Sequence, residues 1–171
     1  MPISEFDMLL LALFILAWTV IILIATADMR KKRRIREKIY AGKFMYYKTF
    51  EKNWIISSGK NKSKKQKGLK YEDGPGCYVI TIYKRPVAHF NYKNYENIYI
   101  GQSVNVYKRV HNHFNGKGNG DVYADIKYGK HVYVRFVRCK KADLNKKEIE
   151  LISAFNATQS YNKTRGGAAK Q

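Results

Sequence analysis

Apolar positions along the chain fall into three regimes. From Met8 to Ala27 the sequence MLLLALFILAWTVIILIATA runs for twenty residues without a charge. It is apolar on every face and long enough to cross about 30 Å of hydrocarbon, so it predicts a transmembrane helix over 8–27. A cleaved signal peptide would carry basic residues ahead of the run. Here Glu5 and Asp7 stand in that place, so the segment reads as an uncleaved anchor. The second regime, 28–70, is basic and only locally apolar. Its stretch GKNKSKKQKG, Gly59 to Gly68, holds no apolar residue and predicts a solvated linker. Ahead of it, Phe44, Tyr46, Tyr47, Phe50 and Trp54 form an aromatic cluster. Such a cluster suits either the membrane interface or packing on a following domain.

The third regime begins near Tyr71 and has the periodicity of a folded domain, 71–171. Gly76 to Tyr83, GCYVITIY, is rich in β-branched and aromatic residues and predicts a strand. Asn97 to Gly101 predicts a second, joined to the first by a thirteen-residue hairpin loop carrying Pro86, His89, Phe90, Tyr92 and Tyr95. Ser103 reads as a helix N-cap, and Val106, Val110 and Phe114 make one stripe at i, i+4, i+8. The glycines at 116, 118 and 120 end that helix in a flexible loop. His131 to Cys139 alternates as a third strand. Asp143 caps a last helix carrying Leu144, Leu151, Ile152 and Phe155. The order of strand, strand, helix, strand and helix predicts an α+β domain: a small, mostly antiparallel three-stranded sheet flanked by helices.

Charge sharpens this picture. The chain carries +20 overall, of which +13 lies in 28–70 and +9 in 71–171. The run Arg30-Lys31-Lys32-Arg33-Arg34 directly follows the apolar segment, and such residues stay on the cytoplasmic side. The expected topology is a single-pass membrane protein with its N-terminus outside and its folded domain in the cytoplasm. Much of the basic excess is thereby explained by topology and by attraction to anionic lipid. The two cysteines, Cys77 and Cys139, are too few for a disulfide framework or a cysteine-based zinc site.

Two details exceed the needs of packing. Glu148 lies in the apolar stripe of the last helix, four residues after Leu144 and three before Leu151, whereas Glu150 is expected to point to solvent. A carboxylate on a buried face needs an ion-pair partner, Arg109 being one candidate, or a metal. Arg109 and His113 stand at i, i+4 on the middle helix. In order along the chain come Gly76-Cys77-Tyr78, Tyr99-Ile100-Gly101-Gln102-Ser103, Arg109, His113, Glu148 and Tyr161-Asn162. This ordered set resembles the GIY-YIG nuclease family, found in homing endonucleases, some restriction enzymes and the incision domain of bacterial excision repair. The resemblance covers about residues 74 to 167. Cys77 replaces the usual Ile, the hairpin loop is longer than common, and Gly120-Asp121 stands where some members have a further histidine.

The resemblance implies that Tyr78, Tyr99, Arg109, His113, Glu148 and Asn162 form the site. Glu148 would be the ligand of Mg²⁺ or Mn²⁺ and Asn162 a structural residue. Hydrolysis of a phosphodiester needs a deprotonated water, a neutralised phosphate and a stabilised leaving oxygen. One carboxylate suffices for a hard cation that keeps its waters. Arg109 can clamp phosphate oxygens and lower the pKa of a nearby phenol. Tyr78, Tyr99 and His113 all remain open as the general base. His111-Asn112-His113 spells the letters of another nuclease class, but that class spreads them over a ββα unit. The glycine-rich stretch at 116–120 lacks the strand and the Lys-Ser/Thr ending of a P-loop. The expectation is a membrane-anchored, divalent-metal-dependent endonuclease that hydrolyses phosphodiester bonds, with DNA as the expected nucleic acid. The alternative is a non-catalytic, membrane-tethered protein that binds nucleic acid or anionic lipid.

Overall fold

The computed structural model describes residues 5–57, 73–88, 90–163 and 166. The Gly59–Gly68 linker, the start of the domain at Tyr71, and His89 lie outside these residues. Helix α1 runs without a break over Glu5–Tyr40 and is followed by β1 (Met45–Tyr46) and α2 (Tyr47–Ser57). Then come β2 (Gly76–Tyr83), β3 (Asn97–Ser103), α3 (Val106–Phe114), α4 (Gly120–Lys127), β4 (His131–Arg138) and α5 (Leu144–Phe155).

The sheet is antiparallel with strand order β1-β4-β2-β3. It has four strands among the described residues where the sequence predicted three. The extra one, Met45–Tyr46, comes from the basic stretch ahead of the domain and pairs with Val134 and Tyr133. Two residues are too short to show strand periodicity. Strand β2 is central, and all eight of its residues are buried, which explains its unbroken apolar run. Cys77, Val79 and Tyr83 face a core built with Ile39, Phe44, Leu151 and Phe155. Tyr78, Ile80 and Ile82 face a second core with Phe50, Val106, Val110 and Phe114.

The aromatic cluster at 44–54 therefore packs on the domain. Phe44 stacks on Tyr92 at 4.3 Å, and Phe50 is fully buried among the rings of Trp54, Tyr107, Phe114 and Phe136. The end of α1 belongs to the same core. Ile39 is buried, Tyr40 meets Phe155 edge-on at 5.5 Å, and Arg36 Nη1 donates to Ala154 O at 2.6 Å.

Three local expectations change. Ser103 is the last residue of β3 because it pairs with Gly76, and α3 starts only at Val106 after Asn105. Its first-turn amides are capped from afar: Tyr107 and Lys108 donate their N–H groups to the two oxygens of Asp73, at 2.9 and 3.0 Å. The glycine-rich stretch ends α3 but also starts α4, whose Val122 N–H is accepted by the side chain of Asn119 at 3.0 Å. Asp143 occupies the N-cap position of α5 without a side-chain cap bond. Glu150 turns from solvent to Lys147 at 3.3 Å and to Lys31 of α1 at 3.8 Å.

Truncating Phe50 to alanine opens a cavity in the second core and should cost about 3–5 kcal/mol. Urea unfolding of the full chain in detergent micelles, followed by Trp54 emission, measures this. An unchanged midpoint would mean that residues 44–54 are not part of the domain.

Candidate active site

Strand pairing alone brings the two motif tyrosines together. Tyr78 pairs with Gly101 and Ile80 with Tyr99, so both phenols lie on one face of the sheet as diagonal neighbours, ring centres 6.1 Å apart. The Tyr78 hydroxyl fills the place a side chain would need at position 101. A Cβ built on Gly101 would lie 2.3 Å from Tyr78 Oη, so the glycine is a steric requirement of the tyrosine.

Helix α3 supplies the next two groups. His113 is fully buried, its ring 5.4 Å from that of Tyr78 and 5.0 Å from that of Tyr99. Its Nε2 lies 2.7 Å from Tyr78 Oη. Its Nδ1 accepts the backbone N–H of Asn119 at 2.6 Å. An imidazole whose Nδ1 accepts carries its proton on Nε2, so Nε2–H donates to Tyr78 Oη. A Cβ at Gly118 would lie 2.3 Å from His113 Nδ1, so the glycine lets the loop close over the ring. Arg109, one turn earlier, is largely exposed but reaches both phenols.

The electrostatics follow from burial. The Tyr78 phenol is pushed well above its usual range by burial and by Tyr99, against the opposing pull of Arg109. Burial also raises Tyr99, again opposed by Arg109. His113 is lowered to about 4 by burial and by the Arg109 charge, so it stays neutral at pH 7.

Glu148 arrives from the opposite layer. β3 is an edge strand, and α5 brings Glu148 round that edge, where Oε2 accepts from Gln102 Nε2 at 3.0 Å. Tyr99 and Glu148 line one open cleft of about 450 Å³, together with Asn119, Asp121 and Asn162. Asn162 is buried and acts as a surrogate strand. It accepts the Ile100 N–H at 2.8 Å and donates to the Ile100 carbonyl at 2.6 Å. Ser160 and Tyr161 bond Ile98 in the same way, so the edge is closed.

For a hard divalent cation the donor chemistry fits at Glu148, an oxygen ligand on a polar cleft. No group of three His, Cys, Asp or Glu that would enclose a metal occurs among the described residues. A cation here would keep most of its shell as water, the habit of Mg²⁺.

Three positioning residues escaped sequence reasoning. Asn119 fixes the His113 tautomer while capping α4; its legible signal was an Asn ahead of the Val122/Ile126 spacing. Asp73 orients α3. Asp125, buried on α4, accepts from Tyr161 Oη at 2.5 Å and pairs with Lys130 at 2.9 Å, tying the Asn162 segment to α4. No local signal marked Asp73 or Asp125, because their partners are distant in sequence.

The fold and cleft define the class: a small α+β domain whose candidate site sits at a sheet edge. A family model described as the GIY-YIG catalytic domain matches residues 75–162, just over half of the chain. The chain belongs to this family, whose domains are typically nucleases acting on nucleic acid. No curated protein and no solved structure matches the chain.

Because His113 is held neutral below its unfolded pKa, the unfolded state binds more protons between pH 6.5 and about 4. The stability contributed by this group is therefore present above pH 6.5 and is lost as pH falls through that window. Lowering the pH from 7.5 to 5 should cost about 2 kcal/mol through His113. Urea unfolding of the wild type and His113→Gln at both pH values checks this: the pH-dependent loss should shrink by that amount in the variant.

Proposed function

We propose that this protein is a membrane-anchored, divalent-metal-dependent endonuclease that hydrolyses phosphodiester bonds in DNA on the cytoplasmic side. The observation that carries this reading is the single cleft at the β3 edge. Tyr99, Glu148 and Asn162 line it, and Tyr78, Arg109 and His113 abut Tyr99 from behind.

A Mg²⁺ or Mn²⁺ ion held by Glu148 would supply charge neutralisation at the phosphate and at the leaving oxygen. The chain's own residues do the rest. Arg109 binds phosphate oxygens and favours the phenolate form of the tyrosines beside it. Tyr78, in its phenolate form, takes the proton of Tyr99, which lines the cleft and takes that of the attacking water as the water oxygen bonds to phosphorus and the bond to the leaving oxygen breaks. His113 supports Tyr78 in this role, since its Nε2–H stabilises negative charge on Oη. It does not serve as the base itself, because its Nδ1 lone pair is committed to Asn119. Asn162 holds the β3 edge in shape. The basic surface and the aromatic hairpin loop hold the strand by phosphate contacts and stacking.

The anchor reading rests on α1. Its apolar part is exposed along its length, whereas Ile39 and Tyr40 at its other end pack into the domain. A cleavable leader is separated from what it precedes, whereas this helix continues unbroken into the core. The order is then a span at 8–27, a basic juxtamembrane segment at 28–70 and the nuclease domain at 71–171. Phe44 and Phe50 of the middle segment complete the nuclease core. The basic run after Ala27 supports an N-terminus outside and a cytoplasmic domain.

Plasmid nicking by the full chain in detergent should require Mg²⁺ or Mn²⁺ and stop with chelator. Glu148→Ala and Tyr78→Phe should each lower the rate by at least about 100-fold. Activity that survives both chelator and Glu148→Ala would overturn the metal-nuclease reading. Retained DNA binding with no cleavage under any condition would favour a non-catalytic binder.

A further inference from the structure

Gln102 directly follows Tyr99-Ile100-Gly101 but takes no part in the proposed hydrolysis. Its direction follows from the pleat of β3. Tyr99 packs toward Tyr78 and α3, so Ile98, Ile100 and Gln102 turn to the opposite face, where Ile98 and Ile100 share a core with Leu151 of α5. Gln102 is the polar end of this apolar row. It pairs with Cys77, whose thiol contacts the Leu144 carbonyl at 3.8 Å and ties the start of α5 to the same rim of the sheet. Asn145 and Glu148, one turn apart on α5, are thereby set opposite Gln102.

The amide of Gln102 spends its hydrogens on α5. Nε2 donates to Glu148 Oε2 at 3.0 Å and to Asn145 Oδ1. Two acceptors on one side settle the orientation, because the amide turned over would set its own oxygen against the Glu148 carboxylate. Asn145 therefore holds Gln102 as a donor toward Glu148. Gly166 approaches the same carboxylate oxygen, and a Cβ built there would lie 3.3 Å from Oε2. One hydrogen bond takes one of about four lone-pair positions on a carboxylate, so it directs the group and still lets it meet a cation. A glutamate side chain has several rotatable bonds, whose freedom is lost when it holds a cation in one place. Fixing them beforehand lowers that loss.

We propose that Gln102 is a positioning residue for the metal ligand. Locked by Asn145, it aims the Glu148 carboxylate and raises its affinity for a hard divalent cation. This rests on the reading of Glu148 as the ligand of Mg²⁺ or Mn²⁺. Gln102 acts through Glu148, not on the cation or the phosphate itself. The packing of Ile98, Ile100 and Leu151 already fastens α5 to β3, so the polar pair at the rim is not needed to hold the two together.

The test is titration of the full chain in detergent micelles with Mn²⁺, the bound ion being read from the loss of the free-ion electron paramagnetic resonance signal. Removing a group that orients a metal ligand costs about 10–100-fold in metal affinity. Gln102→Leu, close in size but without the donors, should raise the Mn²⁺ Kd by that factor. Asn145→Ala should raise it by a smaller one. Gln102 is half-buried and Asn145 exposed, so the urea midpoint should stay at the wild-type value in both. Saturating Mn²⁺ should restore plasmid nicking in Gln102→Leu but not in Glu148→Ala, because only the former keeps the ligand. A Gln102→Leu chain that stays inactive at saturating Mn²⁺ marks a direct catalytic role and overturns the proposal. So does a weaker Kd that appears only with a lowered urea midpoint, which marks a structural tie. Wild-type Mn²⁺ binding that is lost in Glu148→Ala but unchanged in Gln102→Leu leaves the metal reading standing and sinks this inference alone. Wild-type binding no stronger than that of Glu148→Ala sinks both.

Discussion

The hydrogen bond from the Asn119 backbone to His113 Nδ1 is the constraint on which the site's chemistry depends. A buried imidazole can accept at one nitrogen and donate at the other, and the loop decides which is which. With Nδ1 committed, Nε2–H has one partner in reach, the Tyr78 hydroxyl. The phenol is thereby aimed at the gap left by Gly101 and supported by a donor that does not titrate near neutral pH. Gly118 is needed so that the loop can approach, and Asn119 at once closes over His113 and starts α4. The geometry of the candidate catalytic groups is thus set by backbone that carries no reactive group.

A second constraint is the edge of β3. An open edge beside the cleft would expose a row of backbone donors and acceptors to other chains. The segment Ser160 to Asn162 closes it with the side chains of Ser160 and Asn162 and the backbone N–H of Tyr161 in place of a fifth strand, and the Tyr161 hydroxyl ties that segment to buried Asp125. This closure lets the two layers meet. Tyr99 comes from the α3 side and Glu148 from the α5 side, and they share one cleft because the strand between them is the last in the sheet. The α5 side is in turn held by α1, so the end of α1 and the candidate metal ligand are two faces of one packed pair.

Much of this was legible from the sequence because it is local. The run GCYVITIY reads as a buried strand, and the Val106, Val110, Phe114 stripe reads as a helix face. The ordered tyrosines, arginine and glutamate are recognisable as a set. What escaped is non-local. Strand β1 is two residues long and exists only because β4 offers an edge. The cap of α3 comes from Asp73, more than thirty residues away in sequence. The stretch Gly116 to Gly120 reads as a flexible loop, because nothing in five such residues announces a buried imidazole beneath them. Glu150 looked solvent-facing from its position on α5, where Lys147 of the same helix meets one of its oxygens and the packing of α1 adds Lys31 at the other.

The central claim is that a phenol backed by an imidazole held neutral at pH 7, and not the imidazole itself, activates water for phosphodiester cleavage. The pH dependence of single-turnover DNA cleavage by the full chain, at saturating Mg²⁺, tests it most directly. A buried phenol held above its usual range predicts a rate that climbs steadily from pH 6 to 9 with no break near 6.5. A rate that levels off above an inflection at pH 6–7 would show a titrating histidine at work and would contradict the account.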